Sequence, residues 1–123
     1  MSREEFEKIV EESFELLPQK FKSAIENVGI LVEDYPDDEL VRRVGLTSKR
    51  HLLGLYQGVP LQKRGTWYGM SPTLPDKISL YQKNIEQYCR TDREIKEKIA
   101  EVLIHEIGHY FGMTEEEIRA AGY

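Results

Sequence analysis

Cysteine is almost missing from this chain: Cys89 stands alone among 123 residues. A single thiol cannot close an internal disulfide, so nothing points to an oxidising compartment and stability must come from a packed core. Long apolar runs are missing as well, and no stretch approaches the roughly 20 residues that a membrane helix needs. The opening residues Met1-Ser2-Arg3-Glu4-Glu5-Phe6-Glu7-Lys8 hold no apolar core of signal-peptide length and are acidic where a transit peptide is basic. A cytoplasmic protein without a membrane partner is expected. Positive charge is also short, with 17 Lys and Arg against 22 Asp and Glu and a formal net charge of -5. No basic cluster exceeds Arg42-Arg43 or Lys49-Arg50, and phosphate contacts need a basic face, so a nucleic-acid partner is not expected. Repeats, low-complexity tracts and internal boundaries are absent. The length suits one domain over residues 1–123 with a core of its own.

What is present is strong punctuation. Ser2 and Glu5 stand at capping-box spacing, and Phe6, Ile9, Val10, Phe14 and Leu17 recur at helical intervals until Pro18. A short second helix is expected over 19–26. The β-rich apolar run 28–32 reads as a buried strand, and Pro36 and Asp37 open a helical turn through Val41. The stretch from Thr47 to Pro75 is rich in Gly and Pro and reads as turns and loops, with possible strands at 51–56 and, just beyond it, 77–81. So long a loop region is often functional. Thr91 and Glu94 repeat the capping pattern ahead of Ile95, Ile99, Val102, Leu103, Ile107, Tyr110 and Phe111, and Gly112 suits the C′ position. Thr114 and Glu117 start a last short helix. Helices, then strands, then helices argue for an α+β fold with a small mixed or antiparallel sheet.

The chemistry-bearing segment is His105-Glu106-Ile107-Gly108-His109. At roughly 100° per residue the two histidines lie about 40° apart on one helix face. Both imidazoles can therefore meet one ion, and Glu106 is rotated about 60° further, towards the apolar stripe. This is the HExxH pattern of zinc hydrolases. Zinc takes neutral imidazole nitrogens and keeps a position open for water, whose pKa it lowers to about 7. A carboxylate beside the ion takes the water's proton and passes it to the leaving amine, and Glu106 is the acid placed for that within the motif. Without a metal, the same residues are a core helix with two histidines at its edge.

A catalytic zinc needs a third ligand. With the chain running only to Tyr123, a glutamate on a remote downstream helix is not expected. Gly112 follows His109 by three, matching H-E-x-x-H-x-x-G-x-x-H, and the last position of that pattern is Glu115. Gly112 lets the chain reverse and bring Glu115 back to the metal. Glu117 is better explained as the capping partner of Thr114, Glu116 as a solvated acid, and Asp76 remains an outside candidate. The competing reading of Glu115 is an exposed acid that complements the helix dipole.

With these residues in view, the chain resembles the minimal zincin-like metallopeptidase family of bacteria. The resemblance covers most of the chain. It rests on Asn27-Val28 leading into Val32-Glu33-Asp34, on the stretches 53–61 and 74–82, and on 105–112. It implies a small zincin-like α+β fold, with the motif helix packed on a short sheet, N-terminal helices before it and a short C-terminal helix after it. It implies His105 and His109 as zinc ligands and Glu106 as general base, and an acid at the position of Glu115 belongs to the family pattern. It also implies that the large second subdomain of bigger zincins is lacking.

The expected activity is zinc-dependent peptide hydrolysis, with a peptide or unfolded protein as partner. The alternative is a zincin scaffold that binds metal or a partner without cleaving peptides. Residues 53–61 can supply a strand edge for an extended substrate, although from sequence alone a buried strand and a tight turn is favoured. Trp67 and Tyr68 suit a loop anchor or a pocket wall. Tyr56 and Tyr123 are candidate phenols for an oxyanion and neither is adopted. His51 is left out of the site, and Tyr110 and Cys89 are assigned to the core.

Overall fold

The Ser2 hydroxyl accepts the N–H of Glu5 and starts helix α1 (Arg3–Glu15), whose Phe6, Val10 and Ser13 are buried. A computed structural model describes residues 1–25, 28–58 and 76–122 of the chain. Pro18 then precedes α2 (Gln19–Ala24). Strand β1 (Gly29–Glu33) follows, then α3 (Asp38–Arg43), capped by the Asp37 side chain on the Leu40 N–H. A one-turn 3-10 helix (Lys49–His51) leads to β2 (Gly54–Gln57). The expected strand at 51–56 thus begins three residues late. Strand β3 (Lys77–Tyr81) has the expected limits.

Helix α4 (Gln82–Glu86) follows β3 without a break and is not signalled in the sequence, because five residues are too few to show a helical period. Asn84 on α4 is fully buried and donates to the carbonyls of Lys49 and Leu52, each at 2.7 Å, which pins the turn ahead of β2. Helix α5 (Asp92–Tyr110) carries the HExxH segment, and α6 (Glu115–Ala120) closes the described fold.

The three strands form one mixed sheet in the order β1-β3-β2, with β1 parallel and β2 antiparallel to β3. The fold is α+β, consistent with a zincin-like architecture. Two sequence expectations are corrected here. Among the described residues strand β1 is not buried but forms an edge, and Leu31 on it is 45% exposed. Strand β2, expected to be buried, forms the other edge among the described residues. An apolar run signals that a strand buries one face, but which strand lies centrally depends on pairings between distant segments.

Because side chains alternate across a strand, the register puts Ile30, Val32, Ile78, Leu80, Gly54 and Tyr56 on one face. Helix α5 packs there, and its Ile95, Ile99, Val102, Leu103 and Ile107 join Ile78, Leu80 and the α1 residues in a single core. Gly54 sets how closely the helix approaches, since a Cβ there would stand 2.6 Å from Val102 Cγ1. Helix α1 is tied to α5 as well, where Ser13 donates to the Lys96 carbonyl at 3.1 Å. Among the described residues no helix is long and apolar enough to cross a membrane.

Candidate metal centre

The site depends on how α5 begins and ends. Thr91 caps its start by accepting the Glu94 N–H, while the Glu94 carboxylate reaches one residue further back and accepts the Arg90 N–H at 2.6 Å. At the other end Gly112 takes φ +80°. The Met113 N–H returns to the Gly108 carbonyl and the Gly112 N–H to the His109 carbonyl, both at 2.9 Å. This is a Schellman turn, and only glycine takes its left-handed position without strain. Thr114 then opens α6 with a reciprocal capping box to Glu117. The chain is reversed within four residues of His109.

The reversed helix must lie close to α5, and Gly108 permits it. A Cβ at Gly108 would meet Ile118 Cδ1 at 2.5 Å and Cγ1 at 2.7 Å. Ile118 is the buried residue of α6, at 1% exposure. Gly108 and Ile118 therefore set the height of α6 over the motif and, with it, the position of Glu115 at its first turn. Glu115 Oε2 lies 2.9 Å from His105 Nδ1, and Oε1 lies 3.1 Å from His109 Nε2. One carboxylate spans both imidazoles. Its pKa lies below the ordinary carboxylate value: burial pushes it up, but hydrogen bonds and charge from His105, and then from His109, outweigh that.

Glu106 points elsewhere, to the sheet. Its Oε1 accepts the backbone N–H of Tyr56 at 2.7 Å. The Tyr81 N–H bonds to the Leu53 carbonyl, so in the antiparallel ladder Leu55 and Gln57 also bond to β3, while Gly54 and Tyr56 turn their backbone groups away from β3. Glu106 thus sits on the side of β2 turned away from β3. Burial raises its pKa, partly countered by the Tyr56 N–H and the charge of His109. The Tyr56 ring packs edge-on against Tyr110 of α5, with centroids 5.7 Å apart, and its hydroxyl donates to Asp76 Oδ2 at 3.0 Å. Gly58 leaves room for this pair, since a Cβ there would fall on Asp76 Oδ1 and 2.9 Å from the Tyr56 hydroxyl.

The four residues singled out from the motif are therefore divided. His105, His109 and Glu115 meet, and Glu106 stands beside them against β2. Asp76 is buried and engaged by Tyr56. Tyr110 is buried as expected, and Cys89 is half-buried, its thiol pushed up by burial. Trp67, Tyr68 and Tyr123 lie outside the described residues. The sequence reading missed Gly108, Ile118 and the Tyr56 N–H. Only Gly108 carried a signal, because a glycine inside a helix costs about 1 kcal/mol against alanine and implies close packing.

Do these residues suit a metal? The donor set, two imidazoles and a carboxylate, is one zinc accepts. Ligand atoms around a tetrahedral zinc stand roughly 3.3 Å apart, given bonds of about 2.0–2.1 Å. The observed 2.9 and 3.1 Å fall within a few tenths of an ångström of that. Yet among the described residues no group of three His, Cys, Asp or Glu side chains is arranged so that it could hold a metal ion as it stands. The carboxylate oxygens face ring nitrogens as hydrogen-bond partners, so the set fits zinc in donor chemistry and is held together by hydrogen bonds.

The family model for zincin-like metallopeptidases matches residues 25–123. No curated protein matches the chain.

Proposed function

The chain belongs to the zincin-like metallopeptidase family, and from that premise we propose that it is a zinc-dependent peptidase acting on extended peptides or unfolded protein. The observation that carries the reading is the pairing of Glu115 with both His105 and His109, beside a Glu106 held against strand β2. In this reading His105, His109 and Glu115 hold the metal. Bound zinc supplies a water of lowered pKa and polarises the scissile carbonyl. Glu106 takes the proton from the attacking water and delivers it to the departing amine, leaving an acid and an amine as products. Its raised pKa suits a group that must both accept and return a proton. An extended peptide lies alongside β2, on the side turned away from β3. That requires Glu106 to release the Tyr56 N–H as substrate arrives.

The test is Glu106→Gln, assayed for zinc content and for cleavage of a broad peptide library. Retained zinc with lost turnover is expected, and unchanged turnover removes Glu106 from its role. A second reading is a zincin scaffold that binds metal without cleaving. The bond from Tyr56 N–H to Glu106 favours it, because it ties the base to the strand where substrate would lie. Stoichiometric zinc in the unmodified protein with no cleavage of any library peptide selects that reading.

A further inference from the structure

The opposite edge of the sheet carries a second feature, away from the metal centre. Strand β1 and helix α1 flank a groove of about 820 Å³. In the parallel ladder the Gly29 N–H bonds to the Asp76 carbonyl, so Gly29, Leu31 and Glu33 bond to β3. Ile30 and Val32 turn their backbone groups into the groove. The Val32 carbonyl is taken by the Arg3 guanidinium at 2.7 Å, which closes one end. The Ile30 N–H and C=O and the Val32 N–H remain without a partner among the described residues. Val10, Phe14, Ile30 and Val32 give an apolar lining, and the α1 side carries Glu7, Glu11, Glu12 and Glu15. Glu12 pairs with Lys96 and Glu15 with Lys22. Glu7 and Glu11 are exposed and have no cation partner among the described residues.

We propose that this groove binds an extended basic peptide segment of another protein as an added strand on β1. Charge selects the occupant. Glu7 and Glu11 are four residues apart on a helix, about 6 Å along its axis. Alternate residues of an extended strand repeat at about 6.6–6.8 Å. Two Lys or Arg side chains separated by one residue therefore match the two carboxylates in spacing. Their aliphatic stems lie over Val10, Phe14, Ile30 and Val32 while their charged heads reach Glu7 and Glu11. Strand addition supplies main-chain bonds at Ile30 and Val32. Helix α1 lies outside the stretch matched by the family model, so this wall is a property of this chain rather than of that match.

The test uses the full chain and a fluorescein-labelled peptide of about seven residues alternating lysine and valine. Saturable binding by fluorescence anisotropy is expected, with a glutamate–valine peptide and a lysine–valine peptide N-methylated at alternate amides each binding at least about tenfold more weakly. The Glu7→Gln/Glu11→Gln protein should bind about fivefold more weakly, since two exposed ion pairs are lost. Amide shifts in an NMR titration should centre on 29–33. Any of these results overturns the proposal: no saturable binding, equal binding of the acidic peptide, affinity unchanged in the double variant, or shifts centred on 54–57. The last would assign the peptide to the proposed substrate edge and leave that reading intact. Sedimentation showing a dimer whose contact protects 29–33 would give the edge to a second copy and likewise overturn it.

Discussion

Gly108→Ala tests the link between helix packing and the candidate metal centre. The added methyl would stand 2.5 Å from Ile118 Cδ1 and 2.7 Å from its Cγ1. Restoring ordinary contact, at about 3.4 Å or more, needs a relative movement of roughly 1 Å. Ile118 is buried at 1% exposure and cannot swing into solvent, so α6 must lift. Two stability effects oppose each other. Alanine inside a helix is favoured over glycine by about 0.8–1 kcal/mol. Overpacking costs about 1–3 kcal/mol. The net loss should be about 0–2 kcal/mol, small enough for the variant to fold. Metal affinity should suffer more, because Glu115 rides on α6 and its carboxylate is set against both rings at 2.9 and 3.1 Å. Misplaced supporting contacts at metal sites typically cost about 10–100-fold in affinity. Urea unfolding of the metal-free protein measures the first effect, and a competitive zinc titration the second. Ile118→Ala supplies the control, because it removes both clashing atoms and leaves the Ile118 Cβ at 4.0 Å. Combined with Gly108→Ala it should be better tolerated than the sum of the two single changes, with a coupling of about 0.5–3 kcal/mol. Unchanged zinc affinity in Gly108→Ala, or strictly additive stabilities, would refute the argument that this contact places Glu115.

Three further outcomes are expected. Burial raises the Glu106 pKa, so folding favours its protonated form and stability is lost as pH rises from the ordinary carboxylate range through the raised folded value. Metal-free Glu106→Gln should therefore melt above the unmodified protein at pH 7 and lose that advantage below about pH 4, as thermal scans across pH will show. Glu115→Gln should weaken zinc binding at least about tenfold, because the carboxylate that faces both rings is lost, and a competitive zinc titration measures it. Arg3→Met should cost about 1–3 kcal/mol in denaturant unfolding, because Arg3 donates at once to Gln82, the Val32 carbonyl and Asp34.

The legible parts of the fold were those with local causes. Thr91, Thr114 and Asp37 act on backbone N–H groups a few residues ahead, and Gly112 supplies a left-handed turn at its own position. Such effects need no knowledge of distant segments, which is why the limits of α5, α6 and β3 could be read. Strand order could not. The runs at 28–32 and 53–61 both read as buried strand, yet among the described residues β1 and β2 are edges, because β3 takes the centre by pairing with each. Asn84 beneath the 3-10 turn is equally opaque, since its partners lie more than thirty residues away.

The same division runs through the candidate centre. Sequence alone determined that His105 and His109 share a helix face, because the period of the helix dictates it, and that Gly112 would turn the chain back towards them. Only the tertiary structure decided that Glu115 reaches both rings, since that depends on how deeply Ile118 seats against Gly108. Only it decided that Glu106 meets the Tyr56 N–H on β2. Helical periodicity acts over a few residues and is written locally. The distance between two packed helices, and between a helix and a strand edge, is set by side chains far apart in the chain.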